Sequence, residues 1–226
     1  ADGHDAQGMV TAAAIADGGR RTAPDDDLTL LPLSDGGPGF LDVLSRALVG
    51  ETVSVTVADP LGRPVPAAVL MVDVGATRTA YIESAKACGL HLLSEDERNP
   101  MVTSTYGVGQ LIDAAVGEGA TRVVVGLGGS GTNDGGAGML AALGAGDPNV
   151  LAVGGAALSR LAVDALEGLP LVRERLRSIE LVLATDVDSP LLGFHGAGAV
   201  FAPQKGATPE MAQELESAMG RFTEVV

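Results

Sequence analysis

Residues 123–136 read VVVGLGGSGTNDGG, and this stretch decides the fold. It opens with three valines, which is typical of a buried strand. A loop with five glycines follows Leu127, and a short helix rich in alanine and leucine is expected at 137–143. A strand, a glycine loop and a helix in this order aim backbone N–H groups and the helix dipole at an anion. The stretch therefore predicts a strand–loop–helix unit that binds an anionic ligand.

Two other interpretations of this stretch remain open. Residues 126–131 (GLGGSG) fit the dinucleotide fingerprint G-x-G-x-x-G, which by itself is a weak signal. The acidic residue that should follow about 20 positions later would be Asp147, but Asp147 lies in the turn sequence G-D-P-N. The second alternative is a plain strand-to-helix turn, which would need only one or two glycines. A Walker A lysine is missing from the sequence.

Composition narrows the class of protein. The 226 residues can form a core of one or two domains. A net charge of −15 argues against nucleic acid or an anionic membrane as partner, because both are negatively charged. The single cysteine, Cys88, excludes an internal disulfide and favours a reducing compartment. We see no signal peptide or membrane-spanning apolar run, and we expect a soluble cytoplasmic protein in which Cys88 is buried and inert.

Hydrophobic periodicity divides the rest of the chain into helices and strands. Strands are expected at 28–33, 51–58, 65–73, 79–83, 123–125, 179–184 and 197–201. The strand at 179–184 is expected to be buried. Helices are expected at 10–21, 38–49, 105–118, 137–143, 156–166, 170–177 and 209–225. The second, third and fourth strands follow one another closely and suggest an antiparallel patch.

Three aspartates, Asp35, Asp134 and Asp186, stand where predicted strands pass into glycine-containing loops. Such carboxylates could hold Mg²⁺ or accept the proton of an attacking hydroxyl, although each could equally be a helix cap or turn residue. Lys205 could neutralise phosphate, or it could be an ordinary surface lysine. We predict that Asp134 and Asp186 approach one cleft and that Lys205 points into it.

Four stretches, in order along the chain, resemble motifs of the bacterial class I glycerate kinases. Residues 34–39 (SDGGPG) resemble A-D-G-G-E-G, and 103–111 (TSTYGVGQL) resemble T-S-x-G-x-G-E-L. Residues 128–136 (GGSGTNDGG) resemble G-G-S-A-T-N-D-G-G. Residues 186–193 and 201–207 (DVDSPLLG and FAPQKGA) resemble D-V-x-N-P-L-x-G … F-G-P-Q-K-G-A. The resemblance extends from about residue 11 to residue 226.

The resemblance implies the glycerate kinase I-type two-domain α/β fold, in which an α/β domain is inserted into a Rossmann-like domain assembled from both chain ends. On this pattern we expect a partial Rossmann-like domain at 1–57, the inserted domain at 58–203 and a return helix at 204–226. Family members begin with a strand and a D-S-F-K motif and end with a G-E-G-R motif. We therefore expect the chain to lack both family termini. Pro38, Phe40 and Ser189 also replace the usual Glu, Thr and Asn.

The implied activity is transfer of the ATP γ-phosphoryl group to D-glycerate, usually giving 2-phosphoglycerate, with Mg²⁺ as cofactor. The partners would be ATP and a small hydroxy acid, and a homodimer is left open. The resemblance implies that Asp186, Asp35 and Lys205 are catalytic and that Asp134 and Asp186 bind the metal. Substrate or phosphate binding falls on Gly36, Gly37, Ser104, Gly128, Gly129, Ser130, Asn133 and Asp134. The alternatives are a non-catalytic relative that binds or regulates and, less favoured, a nicotinamide-dependent oxidoreductase.

Overall fold

The computed structural model describes residues 7–193 and 196–226. Within them the α-helices are α1 (Gln7–Thr22), α2 (Phe40–Ala47), α3 (Ala85–Cys88), α4 (Tyr106–Gly117), α5 (Ala137–Ala142), α6 (Pro148–Leu151), α7 (Leu169–Arg175), α8 (Ala197–Phe201) and α9 (Pro209–Val225). The strands are β1 (Glu51–Ala58), β2 (Pro64–Val74), β3 (Thr77–Glu83), β4 (Arg122–Gly126) and β5 (Glu180–Ala184). Short 3₁₀ turns lie at Leu90–Leu92, Glu95–Glu97, Gly155–Arg160 and Pro203–Lys205.

The five strands form one mixed sheet in the order β1-β2-β3-β4-β5. β1, β2 and β3 pair antiparallel, which confirms the predicted antiparallel patch. β3, β4 and β5 pair parallel, and parallel neighbours need long crossover connections. The segments carrying α3–α4 and α5–α7 supply them. The predicted α/β class is confirmed.

Helices cover both faces of the sheet at β4. Val123 and Val125 of β4 lie in the larger core with Leu111 and Ile112 of α4. Val124 points the other way, towards Phe40 and Leu41 at the start of α2. A strand buried on both faces needs a continuous apolar run, which explains the three consecutive valines.

Three predicted elements differ from the structure. Residues 28–33 are irregular, and they have no strand partner in the described part of the chain. Residues 197–201 form helix α8, because a short apolar run does not distinguish strand from helix by its period. β5 is not buried: it pairs only with β4, and Leu181 and Leu183 are 46% and 59% exposed. The domain division at residues 57/58 stays a prediction. β1 ends at Ala58 and pairs with β2 in the same sheet.

A buried glutamate from β3 caps the start of α2. The helix follows Gly39, which has no side chain to accept the first N–H groups. Glu83 Oε2 takes that place and accepts hydrogen bonds from the N–H groups of Gly39 and Leu41, both at 3.2 Å. Glu83 is 0% exposed, and Lys86 Nζ lies 3.9 Å from its other oxygen. Glu83 therefore fixes the loop before α2 against the end of β3.

We expect Glu83→Ala to lower the free energy of unfolding by about 2 kcal/mol, because two buried N–H groups would lose their acceptor. Glu83→Gln keeps an acceptor oxygen and should cost less. Burial raises the pKa of Glu83 above its ordinary 4.5, although the N–H of Leu41, Lys86 and the N–H of Gly39 oppose the shift. A raised carboxyl pKa stabilises the fold fully at low pH, and that stabilisation is lost as the pH rises through the folded-state value.

Urea unfolding between pH 4 and 8 measures both effects. Relative to the Gln variant, the wild type should lose stability as the pH rises. A wild type that gained stability relative to Glu83→Gln over this range would contradict the assignment.

Candidate functional site

Two glycine-containing loops meet at the carboxyl ends of the parallel strands. β3, β4 and β5 end at Glu83, Gly126 and Ala184, which are neighbours in register. We call residues 127–136 after β4 the glycine-rich loop, and residues 34–39 before α2 the first glycine loop. Ligands of α/β sheets gather at the carboxyl ends of strands. This edge of the sheet is therefore the candidate site.

The glycines of the two loops pack backbone against backbone. A Cβ on Gly36 would lie 2.6 Å from the carbonyl oxygen of Ala184, and one on Gly128 would lie 2.7 Å from Cα of Gly37. A Cβ on Gly129 would lie 2.8 Å from the ring of the proline that follows Gly37. Separations this short exclude any larger residue without backbone movement. The loops therefore need these glycines in order to touch each other, whatever they do towards phosphate.

Three consecutive N–H groups of the glycine-rich loop, those of Gly128, Gly129 and Ser130, donate to no acceptor within the described residues. The flanking N–H groups of Leu127 and Gly131 are bonded to carbonyls of β5 and α3, each at 2.8 Å. Gly129 is in the left-handed region with φ +64°. Successive N–H groups around a left-handed residue form a concavity that binds anions. The predicted phosphate-binding loop thus has the donors that it needs.

Asp35 lies in an exposed turn of the first glycine loop. Its Oδ1 accepts a hydrogen bond from the N–H of Gly37 at 2.9 Å, and Ser34 Oγ accepts one from the N–H of Gly36 at 3.2 Å. These local bonds are those of a turn residue. Asp35 Oδ2 accepts no hydrogen bond within the described residues. Asp35 therefore shapes the loop and keeps one oxygen open to a ligand.

Asp134 holds the starts of α4 and α5 together and is only 1% exposed. Its Oδ2 accepts from the N–H and hydroxyl of Thr105 at 2.8 and 2.9 Å, from the N–H of Gly138 at 3.2 Å and from the Ser104 hydroxyl at 3.4 Å. Oδ1 accepts from the N–H of Gly136 at 3.2 Å. Burial raises the pKa of Asp134, and the hydrogen bonds from Thr105, Gly136 and Gly138 oppose that rise.

Five donors occupy the carboxylate oxygens of Asp134, so the predicted role of Asp134 as a Mg²⁺ ligand does not fit its surroundings. Its role here is structural, as a cap and a tie between loops. Asp186 is exposed on the loop after β5, whereas Asp134 is enclosed. The two carboxylates thus differ in exposure, and their approach to one cleft stays a prediction.

Lys205 lies beneath the glycine-rich loop and is 7% exposed. Its ammonium donates to Ser130 Oγ at 3.1 Å and to the carbonyl oxygen of Thr132. Burial lowers the pKa of Lys205, while the neighbouring Cys88 and Asp134 raise it. The lysine thus contacts the glycine-rich loop from the protein interior rather than from an open cleft, and its role towards phosphate stays a prediction.

Cys88 is buried, as the sequence predicted, and it supports the same loop. Its carbonyl oxygen accepts the hydrogen bond from Gly131. Burial, followed by the charge of Asp134, raises the pKa of the Cys88 thiol to about 12. The thiolate that reacts with electrophiles is therefore scarce at neutral pH.

We expect Cys88 to resist a thiol reagent in the native protein, because it is both enclosed and protonated. Mass spectrometry after timed exposure at pH 8 should show almost no adduct on the native protein. The control is the protein in denaturant, which should be labelled stoichiometrically. Labelling of the native protein within seconds would contradict the burial.

The remaining predicted residues lie at different depths. Asp186 is exposed, and its carboxylate has no hydrogen-bond partner within the described residues. Ser104 is buried and bonded to Asp134. Asn133 is half-buried, and its Nδ2 is enclosed without a partner among the described residues. His195, which we expect to line a loop rather than to take part in chemistry, lies outside the described residues.

The described residues contain no group of three or more His, Cys, Asp or Glu side chains placed to share a metal ion. Asp186 has free carboxylate oxygens, and Asp35 has one. Mg²⁺ in kinases is bound by one or two carboxylates together with substrate phosphates and waters. The donors present fit that mode, with Asp186 as protein ligand, and do not fit an all-protein cage.

Two grooves border the site region. One, of about 770 Å³, lies along α8 and α9 and is lined by Gly193, Pro203 and Glu216 among others. The other, of about 660 Å³, lies beside the β1–β2 turn, and Ser104 is on its wall. No helix in the described part of the chain has the length and apolarity needed to cross a membrane.

Sequence patterns did not single out Glu83, Thr105 or Glu216. Glu83 closes an ordinary strand, and nothing local links it to a helix 42 residues earlier in the chain. Thr105 lies within a recognised motif, yet its contact with Asp134 spans 29 residues. Long-range hydrogen bonds of this kind leave no periodic signal.

Comparison with known proteins identifies the family. The glycerate kinase family model matches residues 6–226. Over 221 residues the chain is 45% identical to the glycerate kinase of Bacillus subtilis (strain 168), covering 96% of this chain and 56% of that protein. It is 39% identical to the glycerate 2-kinase of Escherichia coli (strain K12) over 219 residues, covering 95% and 56%. The chain therefore belongs to the glycerate kinase family.

A solved structure shows the same fold. The crystal structure of a protein provisionally named glycerate kinase 2 from Salmonella typhimurium LT2 superposes with a TM-score of 0.76 at 40% identity. The match covers 96% of this chain and 58% of that one. The chain thus spans a little over half the length of the relatives that it matches.

Proposed function

We propose that the protein carrying this chain is an ATP-dependent kinase of the cytoplasm that phosphorylates D-glycerate to 2-phosphoglycerate. The observation that carries the proposal is the row of unbonded N–H groups at Gly128, Gly129 and Ser130, with the ammonium of Lys205 bonded to the same loop from below. Relatives named glycerate kinase and glycerate 2-kinase support the acceptor and its regiochemistry.

Phosphoryl transfer needs positioning and charge stabilisation more than covalent help from the protein. In a chain with net charge −15, ATP is repelled unless local donors and cations offset that charge. The glycine-rich loop supplies N–H donors, and Lys205 places a buried positive charge behind Ser130. These groups would orient the phosphates and stabilise the charge that develops on the γ-phosphoryl oxygens.

The carboxylates divide the remaining roles. We assign Asp186 to Mg²⁺, which would neutralise phosphate charge when it is bound. Asp35, with one open oxygen beside the first glycine loop, would orient the acceptor hydroxyl and accept its proton. Asp134 stays structural. Asn133, Ser104 and the glycines at 36 and 37 would line or shape the substrate site.

The experiment is ADP release from ATP with a panel of D-glycerate, L-glycerate, glycolate and lactate, with Mg²⁺ or with excess chelator. It is run on this chain and on a version extended to the length of the relatives. We expect D-glycerate-dependent ADP release that chelator abolishes. If the extended protein bound ATP and D-glycerate but released no ADP, the non-catalytic alternative would replace this proposal.

The oxidoreductase alternative has no support in the geometry. Asp147, the acidic residue at the fingerprint spacing, caps α6 by accepting a hydrogen bond from the N–H of Asn149 at 2.9 Å. It therefore does not end a strand, where the ribose-binding carboxylate of a dinucleotide site stands.

A further inference from the structure

Glu216, in the middle of α9, contacts the loop that carries Asp186. The N–H of Gly193 donates to Glu216 Oε1 at 2.5 Å. Residues 185–193, here called the acidic loop, are otherwise exposed and irregular. A hydrogen bond to a carboxylate is stronger than one between neutral groups. Glu216 is thus an anchor for the far end of the acidic loop.

The second oxygen of Glu216 faces the glycine-rich loop. Glu216 Oε2 and Asn133 Nδ2 are both buried, and neither has a hydrogen-bond partner within the described residues. Both lie beside Gly198 of α8, where a Cβ would be 3.2 Å from Oε2 and 3.8 Å from Nδ2. One atom is an acceptor and the other a donor, so the two are complementary.

Unpaired buried polar atoms are rare, because each one costs the free energy of its lost hydration. A buried acceptor and a buried donor beside the same glycine indicate a hydrogen bond that a side-chain rotation would complete. Gly198 keeps the space between them open, since any larger residue would crowd Oε2.

We propose that Glu216 is a positioning residue for phosphoryl transfer, which ties the acidic loop to the glycine-rich loop through Gly193 on one oxygen and Asn133 on the other. The inference rests on the proposed function. Glu216 touches neither phosphate nor glycerate in this role. It fixes the position of Asp186 relative to the N–H groups at Gly128–Ser130 and so keeps the metal-binding carboxylate near the phosphates.

Three variants of the length-extended protein test the proposal. Glu216→Ala removes both contacts. Glu216→Gln keeps an oxygen for the N–H of Gly193 and presents an amide N–H₂ to Asn133. Glu214→Ala removes the same charge from an exposed position on the same helix and is the matched control. The readouts are the hydrogen-exchange rate of the Gly193 amide, followed by NMR, and the values of kcat and KM for D-glycerate.

In Glu216→Ala we expect the Gly193 amide to exchange at least tenfold faster, because it loses its acceptor. We expect kcat to fall about tenfold, the scale of losing a positioning contact. KM for D-glycerate should change little. Glu216→Gln should restore the slow exchange and recover part of kcat, whereas Glu214→Ala should match the wild type in both measurements.

If the Gly193 amide exchanged at the wild-type rate in Glu216→Ala, Glu216 would not anchor the acidic loop. If that amide exchanged faster but kcat were unchanged, Glu216 would have no positioning role. A wild-type protein without D-glycerate-dependent turnover would instead refute the proposed function, and exchange would still test the anchor. The two failures are therefore distinguishable.

Discussion

Asp186→Asn should lower kcat by roughly a hundredfold or more, the scale of losing a charge-stabilising group. Asp186 follows the carboxyl end of β5, and its carboxylate has no hydrogen-bond partner among the described residues. It is therefore available to a cation. Asparagine keeps the shape of the side chain and removes the charge that would bind Mg²⁺ in the proposed mechanism. The other two candidate aspartates cannot simply replace it, because donors enclose Asp134 and Asp35 has only one open oxygen.

The matched control is Asp188→Asn, which removes one charge from an exposed position two residues further along the same loop. It should leave kcat within about twofold, because surface charges alone have small effects. Steady-state ADP release at saturating ATP and D-glycerate separates the two variants. Equal turnover by Asp186→Asn and the wild type would remove Asp186 from the mechanism.

Lys205→Met should reduce kcat about a hundredfold or more, since it removes a charge that lies behind the glycine-rich loop, to which we assign phosphate binding. Methionine keeps the apolar stem and loses both hydrogen bonds, to Ser130 Oγ and to the carbonyl of Thr132. The loop then loses its support at Ser130 and Thr132, although the hydrogen bond from Gly131 to Cys88 remains. Stability should change by less than about 2 kcal/mol, because the lost hydrogen bonds are offset by the desolvation cost of a buried ammonium.

Activity and stability are thus expected to separate for Lys205. The control is Arg160→Met, which removes one positive charge from an exposed position and should change neither property. Urea unfolding and ADP release are measured on the same preparations. Unchanged kcat and KM for ATP in Lys205→Met would show that the buried ammonium does not serve the reaction.

Much of the fold could be predicted because its signals are local. The run at 123–125 predicted β4, since three β-branched residues suit a strand covered on both faces. The alternation of apolar and polar residues in β1 and the short connections between β1, β2 and β3 predicted the antiparallel part of the sheet. The glycines at 36–37 and 128–129 predicted the two loops, though not that their backbones pack against each other. Each of these features follows from residues near one another in sequence.

The parts that could not be predicted depend on distant contacts. Residues 28–33 look like a strand but find no strand partner among the described residues, and β5 looks buried but is half exposed. An apolar pattern shows what a segment can do and not which neighbour it meets. The enclosure of Asp134 by donors from α4 and α5 is of the same kind. Sequence alone placed a carboxylate there without showing that its oxygens are occupied.

The most direct test of phosphoryl transfer to D-glycerate is ³¹P NMR of the length-extended protein with ATP, Mg²⁺ and D-glycerate. We expect a new phosphomonoester signal that matches 2-phosphoglycerate and grows in step with ADP. A signal of inorganic phosphate alone, or no conversion of ATP when both substrates are bound, would contradict the account.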